Sequence, residues 1–338
     1  MQKIKKRSLK WIFWLLVLAA AVLGAAAFAL SVGSAGIPFG KVFRILFEGQ
    51  KGIERSIIWD IRMPRLLLGF AIGGALSLAG VILQGMFRNP LVEPYTLGIS
   101  GGAAVGVSLN ILFGLHRIGV LTMPFSGFLG ACLVILLLYG LNMKRRVLSL
   151  QGLLLTGVMI NFIASSLIML ILALSRRESL QGIIFWIMGS LDEPNAFLTR
   201  LALGASVLFL VATYFFHSDL NALALGEEEA LHLGVPVERT KRLLFLITSL
   251  LIGVSVAVSG MIGFVGLVVP HFMKKMVGCD HRILLAASFL AGGAFLVFCD
   301  TLARTVIAPM ELPVGVITGI LGGSLFVFVL MRDNGEGR

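Results

Sequence analysis

The chain alternates long apolar runs with short polar ones, and the runs have the length of membrane crossings. Stretches 11–30, 147–174 and 243–269 contain no charged residue. A helix of about 20 apolar residues crosses the ~30 Å hydrocarbon core of a bilayer, so each of these is long enough. On that criterion the pattern predicts about ten membrane segments, at roughly 9–32, 64–84, 94–114, 118–140, 147–174, 197–216, 242–261, 262–276, 283–304 and 313–331. The eighth is short, broken by glycine, and follows the seventh with almost no polar break. A transmembrane β-barrel would show short alternating segments instead of these blocks. The expected fold class is therefore an all-α polytopic membrane protein, with residues 1–338 forming a single transmembrane domain.

The polar residues between the runs orient the chain. Cytoplasmic loops are enriched in lysine and arginine. Lys3, Lys5, Lys6, Arg7 and Lys10 place the N-terminus inside, and Arg332 does the same for the C-terminus. Lys144, Arg145 and Arg146 mark the loop after segment four, and Arg239, Lys241 and Arg242 the loop after segment six. Lys274, Lys275 and Arg282 require two crossings after Arg242, and an even number of segments satisfies all these markers. Loops 32–63 and 175–196 then face outward. Arg62, Arg65 and Arg304 sit at segment ends on that outer face, against the usual bias. They serve either as interfacial anchors with long side chains or as contacts for something outside. The first apolar run, about twenty residues long, exceeds the ~7–15 of a signal-peptide core and is read as a retained first helix.

Composition agrees with a membrane setting: 58% of residues are hydrophobic, 13% charged, and the mean hydropathy is +0.98. A soluble domain carries about 25% charged residues. The net charge of +11 does not point to nucleic acid, because the basic residues lie in short loops with no aromatic-and-basic recognition motif. Cys132, Cys279 and Cys299 are scattered and match no disulfide or metal framework. Glycine is abundant, with 40 residues, and Gly98, Gly101, Gly102 and Gly106 form one face of segment three, suited to helix packing or to lining a pathway. Gly73-Gly74-Ala75 followed by Glu93-Pro94 is echoed by Gly292-Gly293-Ala294 followed by Glu311-Leu312-Pro313, the pattern of an inverted repeat.

One stretch, 219–242, looks soluble: DLNALALGEEEALHLGVPVERTKR. Glu227, Glu228 and Glu229 suit a helix N-terminus, where unpaired N–H groups carry partial positive charge. Gly234 and Pro236 are stop signals. A helix of about two turns cannot span a bilayer. It is either a solvated loop or a handle for a soluble partner.

Catalytic chemistry is hard to place on this chain. Glu93, Asp300 and Glu311 fall near segment ends, with no acid expected mid-membrane, which weighs against a proton-coupled carrier. His271 and the Asp280-His281 pair match no zinc spacing. No phosphate-cradling G-x-x-x-x-G-K-[ST] occurs, so any ATP would be bound by another chain. No metal or cofactor is expected.

Four passages together resemble one family, the membrane permease subunits of ABC importers for iron–siderophore complexes, haem and vitamin B12. They are IRMPR leading into GGALSLAGVILQGMFRNPLVEPYTLGISGGA; LALGEEEALHLGVPVER; SGMIGFVGLVVPHFMKKMVGCDHR; and DTLARTVIAPMELPVGVITGILGG. The resemblance implies a multi-pass bacterial inner (plasma) membrane protein of about ten helices, with both termini cytoplasmic. It also implies a homodimer with two cytoplasmic ABC ATPase subunits and an extracytoplasmic substrate-binding protein. It assigns a coupling helix between segments six and seven, carried here by Gly226, Glu227, Glu228, Glu229, Ala230, Leu231, Gly234 and Pro236. Arg62, Arg65 and Arg304 match positions that receive acidic residues of the binding protein. Ser149, Leu150 and Gln151 match the cytoplasmic gate, although some relatives have small hydroxyl residues where this chain has the bulkier Leu150 and Gln151. Asn161 either lines the path at the dimer axis or bonds a neighbouring helix. The competing readings are an ion-coupled secondary transporter and a membrane-embedded metalloenzyme using His271 and His281.

Overall fold

A computed structural model describes residues 2–33, 35–48, 52–143, 149–192 and 195–335, and contains no strand among them. Helix α1 (Gln2–Ser31) is followed by α2 (Phe39–Phe47) and α3 (Ile53–Ser56), which runs through a π-helical turn, Ile57–Arg62, into α4 (Met63–Met86). A 3-10 turn, Pro94–Leu97, leads into α5 (Ile99–Leu112); then come α6 (Thr122–Met143), α7 (Leu150–Leu174), α8 (Arg177–Ile187) and α9 (Ala196–Tyr214). The remainder is α10 (His217–Leu225), α11 (Glu227–His232), α12 (Val237–Ser259), α13 (Val265–Val277), α14 (His281–Thr305) and α15 (Val314–Gly335).

Every predicted segment coincides in position with a helix, but their lengths differ from expectation. Seven are long and apolar enough to cross a membrane: α1, the run through α3 and α4, α6, α7, α9, α12 and α14. Helices α5 and α13 are shorter, at 14 and 13 residues, and the apolar stretch of α15 runs Val314–Val329. Segment three loses its first turn because Pro94 opens a 3-10 turn and Gly98 follows in a left-handed conformation, φ 76°. The eighth segment starts late because 260–264 is irregular, with Phe264 at φ 69° before α13 begins. The two loops expected to face outward are not featureless: 32–63 carries α2 and α3, and 175–196 carries α8.

Helix α4 is the spine of the bundle. Its apolar window is 83% buried, against 11% for α1 and 17% for α7. It packs on α9, α12, α13 and α14. Gly73 and Gly292, one from each of the two glycine pairs, face one another at the α4–α14 crossing, while Gly74 lies on Phe289 and Gly293 on Phe70. A methyl group on Gly73 would overlap the Gly292 carbonyl oxygen, and one on Gly292 would overlap that of Gly73. Lipid offers helices no hydrophobic drive to associate, so close backbone contact through small residues takes its place. The glycine face of α5 is likewise a packing face: Gly98 lies on Gly157, Gly101 on Asn161, Gly102 on Gly130 and Gly106 on the Ser126 carbonyl.

Candidate functional site

The soluble-looking stretch is two helices and the first turn of a third. Gly226, at φ 152°, breaks α10 from α11, and Gly234, at φ 82°, ends α11. The Glu229 carboxylate folds back over Gly226. Helix α10 packs on α4 and α14, and α11 on α10 and α12.

Polar bonds pin this shelf to the bundle. Asn221 Nδ2 donates to Asp280 Oδ1 at 3.0 Å, while Asn221 Oδ1 accepts from the His281 backbone N–H at 2.9 Å and pairs with His281 Nδ1 at 2.8 Å. Thr240 Oγ1 donates to Asp219 Oδ2 at 3.1 Å. Lys241 Nζ lies 2.9 Å from Glu227 Oε2 and 2.7 Å from Glu238 Oε1. Sequence reading takes Lys241 for a loop charge; in the structure it is 1% exposed and ties α11 to α12. The Glu238–Lys241 spacing suits one helix face, but Glu238–Arg242 suits it equally, so the sequence does not single out Lys241. The outer side of the shelf is open: Glu228, Glu229, His232, Gly234 and Pro236 are exposed, and Leu225, Leu231 and Leu233 are 64%, 60% and 65% exposed. Ala230 is buried beneath them.

At the start of α7, Ser149 is the N-cap, its Oγ accepting from the Gly152 backbone N–H at 3.2 Å. Leu150 is half-buried and Gln151 exposed; Lys144, Arg145 and Arg146 lie outside the described residues. Asn161 Nδ2 donates to the Tyr95 carbonyl at 2.8 Å, and the Tyr95 hydroxyl accepts from the Ile262 backbone N–H. Its amide therefore bonds a neighbouring segment, which is one of the two roles open from sequence. The rest of α7 leaves Leu155, Met159, Phe162 and Ile163 outward.

Beside Glu93, Pro94 touches Gly266, which also meets the Leu76 carbonyl near the midpoint of α4. One Glu93 carboxyl oxygen, Oε2, has no hydrogen-bond partner. Glu93 is thus half-buried where the chain turns between α4 and α5.

The three arginines are engaged within the chain. Arg62 is 4% exposed and donates to the Leu30 and Ala35 carbonyls, closing the turn after α1. Arg65 donates through Nε to Asp300 at 3.0 Å and through Nη1 to Glu311 at 2.7 Å. Arg304 Nε lies 3.2 Å from the other Asp300 oxygen. Asp300 is thus shared by two guanidiniums, and the exposed charges beside them are acidic, Glu311 at 49% and Asp192 at 80%. The two histidines are apart in role: His281 bonds Asn221, and the His271 ring meets Phe326 edge-on at 5.7 Å. Among the described residues no three His, Cys, Asp or Glu side chains gather as a metal site.

The described residues thus form a bundle with seven helices long and apolar enough to cross a membrane, carrying a pinned shelf whose far side is open. The FecCD transport family model matches residues 15–332, and the chain belongs to that family. It is 38% identical to the hemin transport system permease protein HmuU of Yersinia pestis, over 90% of this chain and 92% of that protein. It is 37% identical to the vitamin B12 import system permease protein BtuC of Klebsiella pneumoniae, over 98% and 97%. A solved inward-facing ABC transporter of metal-chelate type superposes with a TM-score of 0.83 at 29% identity, covering 95% of this chain and 99% of that one. These relatives are transport permeases, and this protein is a permease rather than an enzyme.

Proposed function

We propose that the chain is the transmembrane subunit of an ATP-binding cassette importer for an iron chelate (siderophore or haem) or cobalamin. It acts in the bacterial inner membrane as a homodimer of about ten crossings per chain, termini inside. Separate ATPase subunits drive alternating access, and a binding protein delivers substrate to the outer face. The haem and vitamin B12 permeases among its relatives support this substrate class.

The observation that carries the reading is the shelf of α10 and α11. Exposed leucines next to Glu228 and Glu229 are what a soluble partner's groove would cover, and the bonds through Asn221 and Lys241 attach the shelf to α14 and α12. A push on α11 therefore reaches α12 directly and α14 through α10. Gly226, Glu227, Glu228, Glu229, Ala230, Leu231, Gly234 and Pro236 form the coupling element. Ser149, Leu150 and Gln151 stand at the gate. At the outer rim, Arg65 is the arginine best suited to meet an incoming carboxylate, by exchanging its half-exposed partner Glu311. Arg62 and Arg304 hold the rim around it.

A Leu231→Cys variant, assembled with its ATPase subunits, is expected to cross-link to a cysteine placed in the ATPase groove. A cross-link that forms only from the opposite end of the bundle would sink the coupling assignment.

A further inference from the structure

Helix α2, Phe39–Phe47, is apolar on two flanks and polar on one. Val42 and Ile45 are buried in a cluster with Leu30, Ile37 and Ile58. Phe39, Phe43 and Phe47 follow at every fourth position and are 60%, 51% and 74% exposed, the last two with ring centroids 4.6 Å apart. At about 100° per residue the phenylalanines adjoin the buried flank, and Arg44 and Lys41 occupy the opposite side. Lys41 pairs with Glu54 at 2.6 Å, and Arg44 is exposed. An ordinary surface helix would put its exposed flank into water as polar groups. This one has large aromatic rings there.

The neighbouring surface identifies what covers them. Helix α2 packs against α1. Helix α1 is long and apolar enough to span a membrane while only 11% of its window is buried by the protein. Its outward side chains include Leu16, Leu23 and Phe28, and beyond α2 the surface continues with Ile53, Trp59 and Ile61, at 83%, 44% and 61% exposure. A helix with apolar side chains facing outward thus ends at Ser31, and α2 follows from Phe39 with an aromatic flank. Helices with one rich apolar side and a basic polar side lie in the plane of the membrane interface.

We propose that α2 is an interfacial helix, with Phe39, Phe43 and Phe47 in the headgroup–acyl boundary of the leaflet where α1 ends, and Arg44 at the lipid phosphates. The rings hold the outer end of α1, and through the Arg62 bonds to Leu30 and Ala35 they hold the start of α4 at a set depth. The occupant is lipid whichever chelate the protein carries.

The test uses the full chain in lipid nanodiscs, with Cys132, Cys279 and Cys299 replaced by alanine and a nitroxide attached at Phe43→Cys, Phe47→Cys or Arg44→Cys. Collision rates with oxygen, which enriches in lipid, and with a water-soluble nickel chelate are compared. Labels at 43 and 47 are expected to favour oxygen over nickel several-fold more than the label at 44, which also reports that the helix is folded. Equal nickel access at all three positions would overturn the proposal. So would exclusion of both reagents at 43 and 47, the mark of a protein cover.

Discussion

Replacing Lys241 should cost less stability than replacing its carboxylate partners, although the lysine is the buried member of the group. Its side chain is 1% exposed, whereas Glu227 and Glu238 are 43% and 35% exposed. Lys241→Met keeps the aliphatic stem and leaves two carboxylates with access to water. They forfeit ~1 kcal/mol of attraction, the usual size for a partly exposed pair, and the ammonium's desolvation cost disappears with the charge. The Glu227→Gln, Glu238→Gln double variant leaves the ammonium buried and takes both of these carboxylate charges from it. Breaking a buried pair from that side costs about 3–5 kcal/mol, reduced to ~2–3 kcal/mol where an amide oxygen still accepts a hydrogen bond. Unfolding of the detergent-solubilised chain, followed by fluorescence of its 4 tryptophans, measures both. A Lys241→Met protein less stable than the double variant would refute the reasoning. Coupling should order them the other way. With α11 no longer tied to α12 by charge, Lys241→Met should carry less substrate per ATP hydrolysed than the double variant, whose lysine still reaches two amide oxygens.

Three other outcomes follow from the same geometry. Gly292→Leu forces the α4 and α14 backbones apart and should cost about 1–3 kcal/mol or more, while Gly204→Ala, where no atom lies within 4 Å of the added carbon, should gain ~0.5–1 kcal/mol from helix propensity; thermal unfolding distinguishes the two. Asp300→Asn removes the carboxylate shared by Arg65 and Arg304 and should lower stability by about 3–5 kcal/mol, with Arg304→Gln in the same chain recovering part of it. Glu228→Lys, on the exposed side of α11, should leave unfolding unchanged and lower transport per ATP hydrolysed, and full transport by that variant would count against the shelf as a coupling surface.

Much of the architecture could be read from the chain because a bilayer leaves few alternatives. Every backbone polar group in lipid must be bonded internally, so the apolar blocks had to be helices, and each is found where the hydropathy places it. The glycine and proline signals around 219–242 also located α11. The polar interior was harder. Arg65 meets Asp300 across 235 residues, and no local pattern announces such a pair. Lys241 was indistinguishable from its neighbours Arg239 and Arg242 as a loop charge, because burial of a lysine depends on where α11 folds back. The aromatic flank of α2 was present in the sequence as a phenylalanine at every fourth position, within a loop that hydropathy alone left unstructured.

The central claim is that this chain supplies a pathway and a lever while another chain supplies ATP hydrolysis. The direct measurement is uptake of the ligand that copurifies with the binding protein, into liposomes holding the chain alone or with its ATPase subunits. Uptake that needs the ATPase, the binding protein and ATP together is the expected result. Uptake by the chain alone, driven by a proton or sodium gradient, would contradict the account.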